Sequence, residues 1–304
     1  LKRPKLLLID GMALLFRAFY ATAPSGQFMI NGRGVPTNGV QGFLRHLLIA
    51  IEAVQPSYVA VCWDTGKKTF RHELFDGYKA NRSAPPIEML PQFDLARSMT
   101  DAFGIPNVGV AGYEADDCIG TLSRTLHQKI DIRIVTGDRD LLQLLAPHVH
   151  VRLLQKGYGN YHRFTETLFQ EVMGITPEQF IDVKALMGDA SDGYPGVHGI
   201  GEKTALKLIK QFGSLDALLG KLDEIPAGQQ KKIVADTDML LLSRRLAAIH
   251  CSVPIDFEMG EAAYHGVPES FVERVHDEEM KLVQLDLRQR HHLDNLRATG
   301  NFPH

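Results

Sequence analysis

Lys5-Leu6-Leu7-Leu8-Ile9-Asp10-Gly11 is an apolar run closed by an acid and a glycine. A run apolar on both faces, too short for a helix and bounded by a turn residue, reads as a strand buried in a parallel sheet. Two further stretches repeat the pattern: Tyr58-Val59-Ala60-Val61-Cys62-Trp63-Asp64, and Ile132-Arg133-Ile134-Val135-Thr136-Gly137-Asp138-Arg139-Asp140. Three such strands deliver carboxylates to the same end. Helical patterns at Val40 to Val54, Glu114 to His127 and Asp140 to Leu145 alternate with these runs up to about Thr165. Alternation of this kind predicts an α/β fold, a mostly parallel central sheet flanked by helices on both faces.

Nine acids stand out in this frame: Asp10, Asp64, Glu114, Asp116, Asp117, Asp138, Asp140, Asp189 and Asp192. Carboxylates at the C-terminal ends of parallel strands face one crevice, and hard divalent cations take oxygen ligands. Any single acid reads equally well as an ordinary cap or turn residue. In Gly112-Tyr113-Glu114-Ala115-Asp116-Asp117 the helix dipole gains roughly 0.3–1 kcal/mol per acid of a first turn, which accounts for one or two of the three. Capping leaves the recurrence after other strands unexplained, and so many clustered carboxylates repel one another unless cations neutralise them. The set as a whole predicts a metal site for phosphate chemistry.

The 304 residues carry a formal net charge of -3, so binding to a polyanion has to rest on local patches. One patch runs from Lys67 to Arg82, with Lys67, Lys68, Arg71, Lys79 and Arg82 interleaved with Phe70, Phe75 and Tyr78. Cations for phosphates and flat faces for unstacked bases are what a single strand needs. Standing alone, the stretch reads better as a solvated segment with core aromatics; its place directly after Asp64 favours function. The second patch lies in Gly196-Val197-His198-Gly199-Ile200-Gly201-Glu202-Lys203-Thr204-Ala205-Leu206-Lys207 and continues to Phe212. There Ala205, Leu208, Ile209 and Phe212 share one helical face, and Lys203, Lys207 and Lys210 another. Glycines let backbone amides approach a phosphate at a helix N-terminus, and the lysine row follows the strand further. The spacing is not that of a dinucleotide fingerprint and follows no strand.

From Phe164 to about Ser252 the pattern turns helical, which predicts a second domain packed on the active edge of the sheet. The divisions expected are an α/β domain over 1–170 with an excursion over the cleft at about 65–91, a helical domain over 171–255, and an extension over 256–304. The run Arg288-Gln289-Arg290-His291-His292 in that extension reads as a last helix or as disorder. No apolar segment reaches transmembrane length and the opening Leu1-Lys2-Arg3-Pro4 has no signal pattern, so the cytosol is expected. Cys62, Cys118 and Cys251 are odd in number and widely spaced, and read as buried free thiols, not a disulfide or zinc site.

At this point the chain closely resembles the 5'-nuclease superfamily, above all the bacterial 5'-3' exonucleases related to the nuclease domain of DNA polymerase I. The resemblance rests on Leu8-Ile9-Asp10-Gly11, Trp63-Asp64, Tyr78-Lys79-Ala80-Asn81-Arg82, Gly112 to Asp117, Thr136 to Asp140, Lys184-Ala185-Leu186-Met187-Gly188-Asp189 and Gly199 to Ala205, in family order from the start to about residue 254. It implies a PIN-like nuclease fold followed by a helix-hairpin-helix (helix-three-turn-helix) at about 184–212. It further implies a flap endonuclease and 5'-3' exonuclease that removes 5' flaps and RNA primers in replication and repair, a monomer acting on flapped or branched DNA and RNA-DNA primer junctions. By the same analogy Asp10, Asp64 and Asp116 hold one Mg²⁺, Glu114 lies between the sites, Asp138, Asp140 and Asp192 hold the second, and Asp117 and Asp189 complete the shell; Mn²⁺ is expected to substitute. Lys79 and Arg82 match the essential cations of the arch. Lys67, Lys68, Arg71, Tyr78, Lys184, Gly199, Gly201, Lys203, Thr204 and Lys207 are the residues expected at DNA, and the carbonyls of Val197 and Ile200 the place for K⁺.

The mechanism implied is hydrolysis with two metal ions roughly 4 Å apart, one lowering the pKa of a water and the other stabilising the leaving 3' oxygen. The chain departs from the pattern at Gly193, where the family commonly carries asparagine, and the turn there is expected to be looser. No polymerase pattern follows, so the likeness is to the stand-alone branch, with an excised fragment as the alternative. A flap-binding protein with little activity would keep hairpin and arch while losing acids, and an RNA nuclease of the PIN class would need the acids alone. The chain has all three features.

Overall fold

The computed structural model describes residues 3–298. Leu1, Lys2 and residues 299–304, which belong to the opening and the extension read above, lie outside the described residues. Strands β1 (Lys5–Asp10), β2 (Tyr58–Cys62), β3 (Asn107–Val108), β4 (Asp131–Thr136), β5 (Val149–Leu154) and β6 (Tyr161–Phe164) form one sheet in the order β3-β2-β1-β4-β5-β6. All pairings are parallel except β5 with β6. From β1 the chain fills the sheet to one side through β2 and β3 and to the other through β4, so the order reverses at β1. Doubly wound sheets bind ligands at the crevice beyond the carboxyl ends at such a point, and Asp10 and Asp138 flank it.

Gly11 follows Asp10 because no side chain fits there: a Cβ would stand 2.7 Å from the Trp63 ring. That contact lets α1 (Gly11–Thr22) start directly at the strand end, with Asp10 as its N-cap accepting from the Ala13 N–H at 3.0 Å. Helices α1, α2 (Asn38–Val54) and α4 (Leu90–Ala102) cover the face carrying Leu7, Ile9 and Val135, while the short α3 (Phe70–Leu74) lies in the excursion between β2 and α4. The other face, with Leu6, Leu8, Ile132 and Ile134, packs against α5 (Ala115–Leu126), α6 (Glu166–Met173), α7 (Gln179–Met187), α8 (Glu202–Phe212), α9 (Leu215–Leu219), α10 (Ala227–Ala235) and α11 (Thr237–Ala247). The helical second half therefore shares one core with the sheet, as Phe169, Phe180, Leu186 and Leu208 all join it.

Two expectations of local structure resolve here. The segment Asp140 to Leu145 forms a 3-10 turn over Arg139–Leu144, and the Arg288 to His292 run lies inside a final helix. After α11 the chain returns to the first face, where α12 (Glu269–Asp277) sets Phe271 against Phe103 with centroids 4.4 Å apart. Helix α13 (Lys281–Ala298) is tied to α2 by Arg45–Asp286 at 2.7 Å and Arg290–Glu52 at 2.9 Å. Among the described residues no helix is long and apolar enough to cross a membrane. All three cysteines are free thiols; Cys62 and Cys118 are buried and Cys251 is half-buried.

Candidate metal centre and cleft

At the carboxyl ends of the strands a cleft of about 950 Å³ is lined by Asp10, Asp64, Glu114, Asp116, Asp138 and Asp140. Asp10 ends β1; Asp64 and Asp138 stand two residues past β2 and β4; Glu114 and Asp116 open α5. Each is held by local hydrogen bonds. The Thr136 hydroxyl donates to Asp10 Oδ2 at 2.7 Å, the Ala115 N–H to Asp64 Oδ1 at 2.7 Å, and the Asp140 N–H to Asp138 Oδ1 at 2.8 Å. Burial, with added repulsion from Asp64 and Asp138, pushes Asp10 up to about 7. Burial also raises Asp64 and Asp116, the latter with repulsion from Asp138, Asp10 and Glu114. Oxygen donors that cannot all ionise side by side are a donor set for a hard divalent cation.

A second group forms where the loop after α7 meets the 3-10 turn. Asp140, Asp189 and Asp192 each offer a carboxylate oxygen within 4.8 Å of the others. The sequence reading grouped Asp138 with Asp140 and Asp192; the geometry puts Asp189 in the trio instead, with Asp138 beside it in the cleft. Burial, then repulsion from Asp138, pushes Asp140 up to about 7. Asp189 goes the other way: burial opposes its charge, but Lys184 and the Ser191 hydroxyl hold it below the ordinary range.

The excursion is closed onto this cleft at its root. The Lys79 ammonium binds Glu114, and Arg82 Nη2 pairs with Asp192 Oδ1 at 2.6 Å. The Lys79 N–H donates to the Asp192 carbonyl at 2.7 Å and Asn81 Nδ2 to the Ala190 carbonyl at 2.8 Å. Lys79 has φ +53°, a left-handed backbone uncommon for a residue with a Cβ. Gly193 has φ +79°, and a Cβ there would come within 2.6 Å of the Gly77 carbonyl. The glycine thus admits a close approach of the arch root.

Four expected roles need correction. Arg71 does not face DNA: it is 2 % exposed, forks onto Asp117 at 2.8 and 2.9 Å, reaches Glu114 at 2.8 Å, and donates to the Leu246 and Ala248 carbonyls. Asp117, fully buried, has both oxygens taken by Arg71 and by the Glu114 and His250 N–H groups, so it supports the cluster from behind and leaves no lone pair turned to the cleft for a metal. Tyr78 is 2 % exposed and donates its hydroxyl to Glu114 at 2.9 Å, so its ring cannot stack on a base. Lys184 is buried between Asp140, at 2.8 Å, and Asp189, and these acids carry it up to about 12 against the cost of burial. It holds the second trio together instead of meeting a phosphate.

Lys67 and Lys68 are exposed, as are Lys203, Lys207 and Lys210 along α8, with Gly199 and Gly201 exposed in the turn before it and Thr204 half-buried. Gly201 caps α8 without a side chain. Val197 and Ile200 are buried, with the Val197 carbonyl accepting from the Ile200 N–H at 3.1 Å, and Lys232 donates to the Gly199 carbonyl at 3.2 Å. The cleft wall also includes Phe16, Arg17, Tyr20 and Lys156, which the sequence reading passed over. Phe16 and Tyr20 stack with centroids 6.3 Å apart, and their i,i+4 spacing after Asp10 was the available signal.

A doubly wound sheet that gathers carboxylates at its reversal point, under an arch rooted by cations and beside a glycine hairpin, defines an α/β nuclease. The chain belongs to the 5'-3' exonuclease family: the model of the 5'-3' exonuclease N-terminal, resolvase-like domain matches residues 5–174, and that of the 5'-3' exonuclease C-terminal SAM fold matches 175–270. It is 59 % identical over 260 residues to a 5'-3' exonuclease of Bacillus subtilis, covering 86 % of this chain and 88 % of that one. It is 42 % identical over 266 residues to DNA polymerase I of Bacillus caldotenax, covering 87 % of this chain but 30 % of that protein. Among solved structures, a bacteriophage T5 flap endonuclease in a pseudo-enzyme-product complex with DNA and metal ions superposes with a TM-score of 0.66 at 21 % identity, over 81 % of this chain and 89 % of that one.

Proposed function

We propose that the protein is a structure-specific 5' nuclease that hydrolyses DNA phosphodiesters at 5' flaps and, as an exonuclease, from 5' ends, with RNA primers among its substrates in replication and repair. The observation that carries this is the convergence of Asp10, Asp64, Glu114, Asp116, Asp138 and Asp140 on one cleft with Lys79 and Arg82 at its rim. Family membership and the phage structure that holds DNA and metal ions support it. The donor set is all carboxylate oxygen, which fits Mg²⁺ or Mn²⁺ and not a soft metal.

Asp10, Asp64, Asp116 and Asp138 would hold one cation, and Asp140, Asp189 and Asp192 a second. Bound there, such ions supply an activated water and neutralise charge at the leaving oxygen. The chain's own residues do the rest. Lys79 and Arg82, drawn off Glu114 and Asp192 as a substrate enters, carry positive charge to the scissile phosphate. Lys184 stays between Asp140 and Asp189 and keeps their oxygens aimed into the cleft. Glu114 is fixed from behind by Arg71 and Tyr78, so it cannot swing away when Lys79 leaves. The hairpin before α8 and its lysine row grip the duplex backbone without reading bases, and K⁺ at the Val197 and Ile200 carbonyls would strengthen that grip.

The test is a flap duplex labelled separately at each strand end, incubated with Mg²⁺ or with EDTA. Release of an intact 5' flap in Mg²⁺ alone is expected. Tight binding without cleavage in either Mg²⁺ or Mn²⁺ would overturn the nuclease reading in favour of a flap-binding protein.

A further inference from the structure

The α1–α2 face of the sheet carries a basic surface outside the cleft. Its members follow from strand register. Arg133 on β4 pairs with His150 on β5, Val135 with Arg152, and Arg152 with Arg163 on β6. Partners across a ladder share a face, and Val135, Leu154 and Tyr161 of the same rows pack into the α1–α2 core, which fixes the face as that one. Arg133, His150, Arg152 and Arg163 therefore stand side by side on that face, Arg163 exposed and the other three half-buried.

These charges are poorly compensated within the chain. Asp131 pairs with Arg133 at 3.3 Å but is shared with Arg3 and His148, both at 3.2 Å. Arg152 and Arg163 form no ion pair and donate no hydrogen bond among the described residues, and Nη1 of Arg152 is buried without a partner. Burial and the nearby Arg163 and Arg133 charges hold the Arg152 guanidinium below its ordinary value. Like charges side by side with a buried, unused N–H oppose folding. An exposed arginine fork without an acid, as at Arg163, is suited to phosphate oxygens, which it can bind through two N–H groups.

The cleft wall lies close by along the chain. Arg17 and Lys156 both line the cleft wall, and Arg17 Nη1 donates to the Gln155 carbonyl at 3.4 Å, just past the end of β5. From Lys156 back to Arg152 is four residues, about 13 Å of chain at about 3.3 Å each. The α8 lysines belong to the half of the protein packed on the opposite face. A strand held here thus lies on the other side of the cleft from the duplex grip.

We infer that Arg152, Arg163 and Arg133 form a second nucleic-acid site, a track for the phosphodiester backbone of an unpaired strand that continues from the cleft across the β5–β6 edge. The inference rests on the nuclease reading for the identity of its polyanion. It contacts phosphates alone, so it is indifferent to sequence and sensitive to salt.

The test measures binding with Ca²⁺ in place of Mg²⁺, by fluorescence anisotropy over a salt series, for the wild type, Arg152→Gln/Arg163→Gln, and Arg163→Glu, whose exposed position leaves the core untouched. Three probes are used: a single-stranded oligonucleotide, a duplex with a long 5' flap, and a blunt duplex. The variants are expected to bind the first two about tenfold more weakly and, for the double variant, with a salt slope shallower by about one to one and a half; the blunt duplex should bind as before. Unchanged slopes on single strand and flap, or a loss confined to the blunt duplex, would overturn the track. Cleavage of a flap one nucleotide long in Mg²⁺ reports the nuclease reading separately, because so short a flap cannot reach Arg152.

Discussion

Arg71 illustrates how a residue's type misleads until its neighbours are known. From the sequence it belongs to a basic, aromatic stretch; in the fold it is a buried counter-ion to Glu114 and Asp117. Removing one partner of a buried pair strands the other charges, a loss of about 3–5 kcal/mol. Arg71→Ala should therefore lower the midpoint of thermal unfolding by several degrees, read by calorimetry, and weaken DNA binding only through misfolding. Lys79→Ala should do the reverse: single-turnover cleavage slows about a hundredfold or more, while flap affinity in Ca²⁺ changes little and the unfolding midpoint stays within a few degrees. A variant that loses affinity as much as rate would place Lys79 in ground-state binding. For Asp138→Ala cleavage should vanish with flap binding in Ca²⁺ retained, and turnover at the wild-type rate would remove Asp138 from the metal site.

The elements divide the work between the two halves of the chain. The hairpin between α7 and α8 is built on close backbone contact: Gly196, at φ +61°, would place a Cβ 2.6 Å from the Leu186 carbonyl. This tight turn leaves the start of α8 and its lysine row facing outward. Lys203→Ala is expected to weaken duplex binding and to flatten its salt dependence by about one unit of slope, and an unchanged slope would show that Lys203 touches no phosphate. The arch root and the loop from Asp189 to Gly193 form a second such unit. Asparagine tolerates the left-handed backbone at Gly193, but its Cβ would push on the Gly77 carbonyl. Gly193→Asn should shift Lys79 and slow cleavage, with duplex binding through α8 retained, in the same anisotropy and single-turnover measurements.

For the molecule as a whole, the crowded acids link stability, pH and metal. Asp10 and Asp140 have ordinary values near 3.8 and are pushed up to about 7. A carboxyl raised on folding contributes stability that is complete below its unfolded value and is lost as pH rises through the folded one. Glu114 and Asp189, held low, contribute in the opposite sense, chiefly below the ordinary carboxylate range. Between about pH 4 and pH 7 the raised pair dominates, so the metal-free protein should lose stability across that window. Divalent cations bind the ionised acids, so their stabilisation should grow over the same range. Calorimetry with EDTA and with Mg²⁺ at pH 5.5 and pH 8 checks this; a Mg²⁺ effect no larger at pH 8 would contradict it.

Strands β1, β2 and β4 and the acids that close them were readable from residue type alone, because a buried parallel strand needs apolar side chains on both faces and an acid at its end has no role in that core; β3, β5 and β6, short or carrying charged residues, were not. The face of α8 was readable for the same reason, since helical periodicity states which residues are buried. Register, burial and close approach were not. That Asp189 joins Asp140 and Asp192, that Lys184 and Arg71 are spent on acids, and that Arg133, Arg152 and Arg163 come together across three strands all depend on segments distant in the chain. A charged side chain looks the same in sequence whether it meets solvent, substrate or a buried carboxylate; packing decides which of these surrounds it, and desolvation then decides what its charge can do.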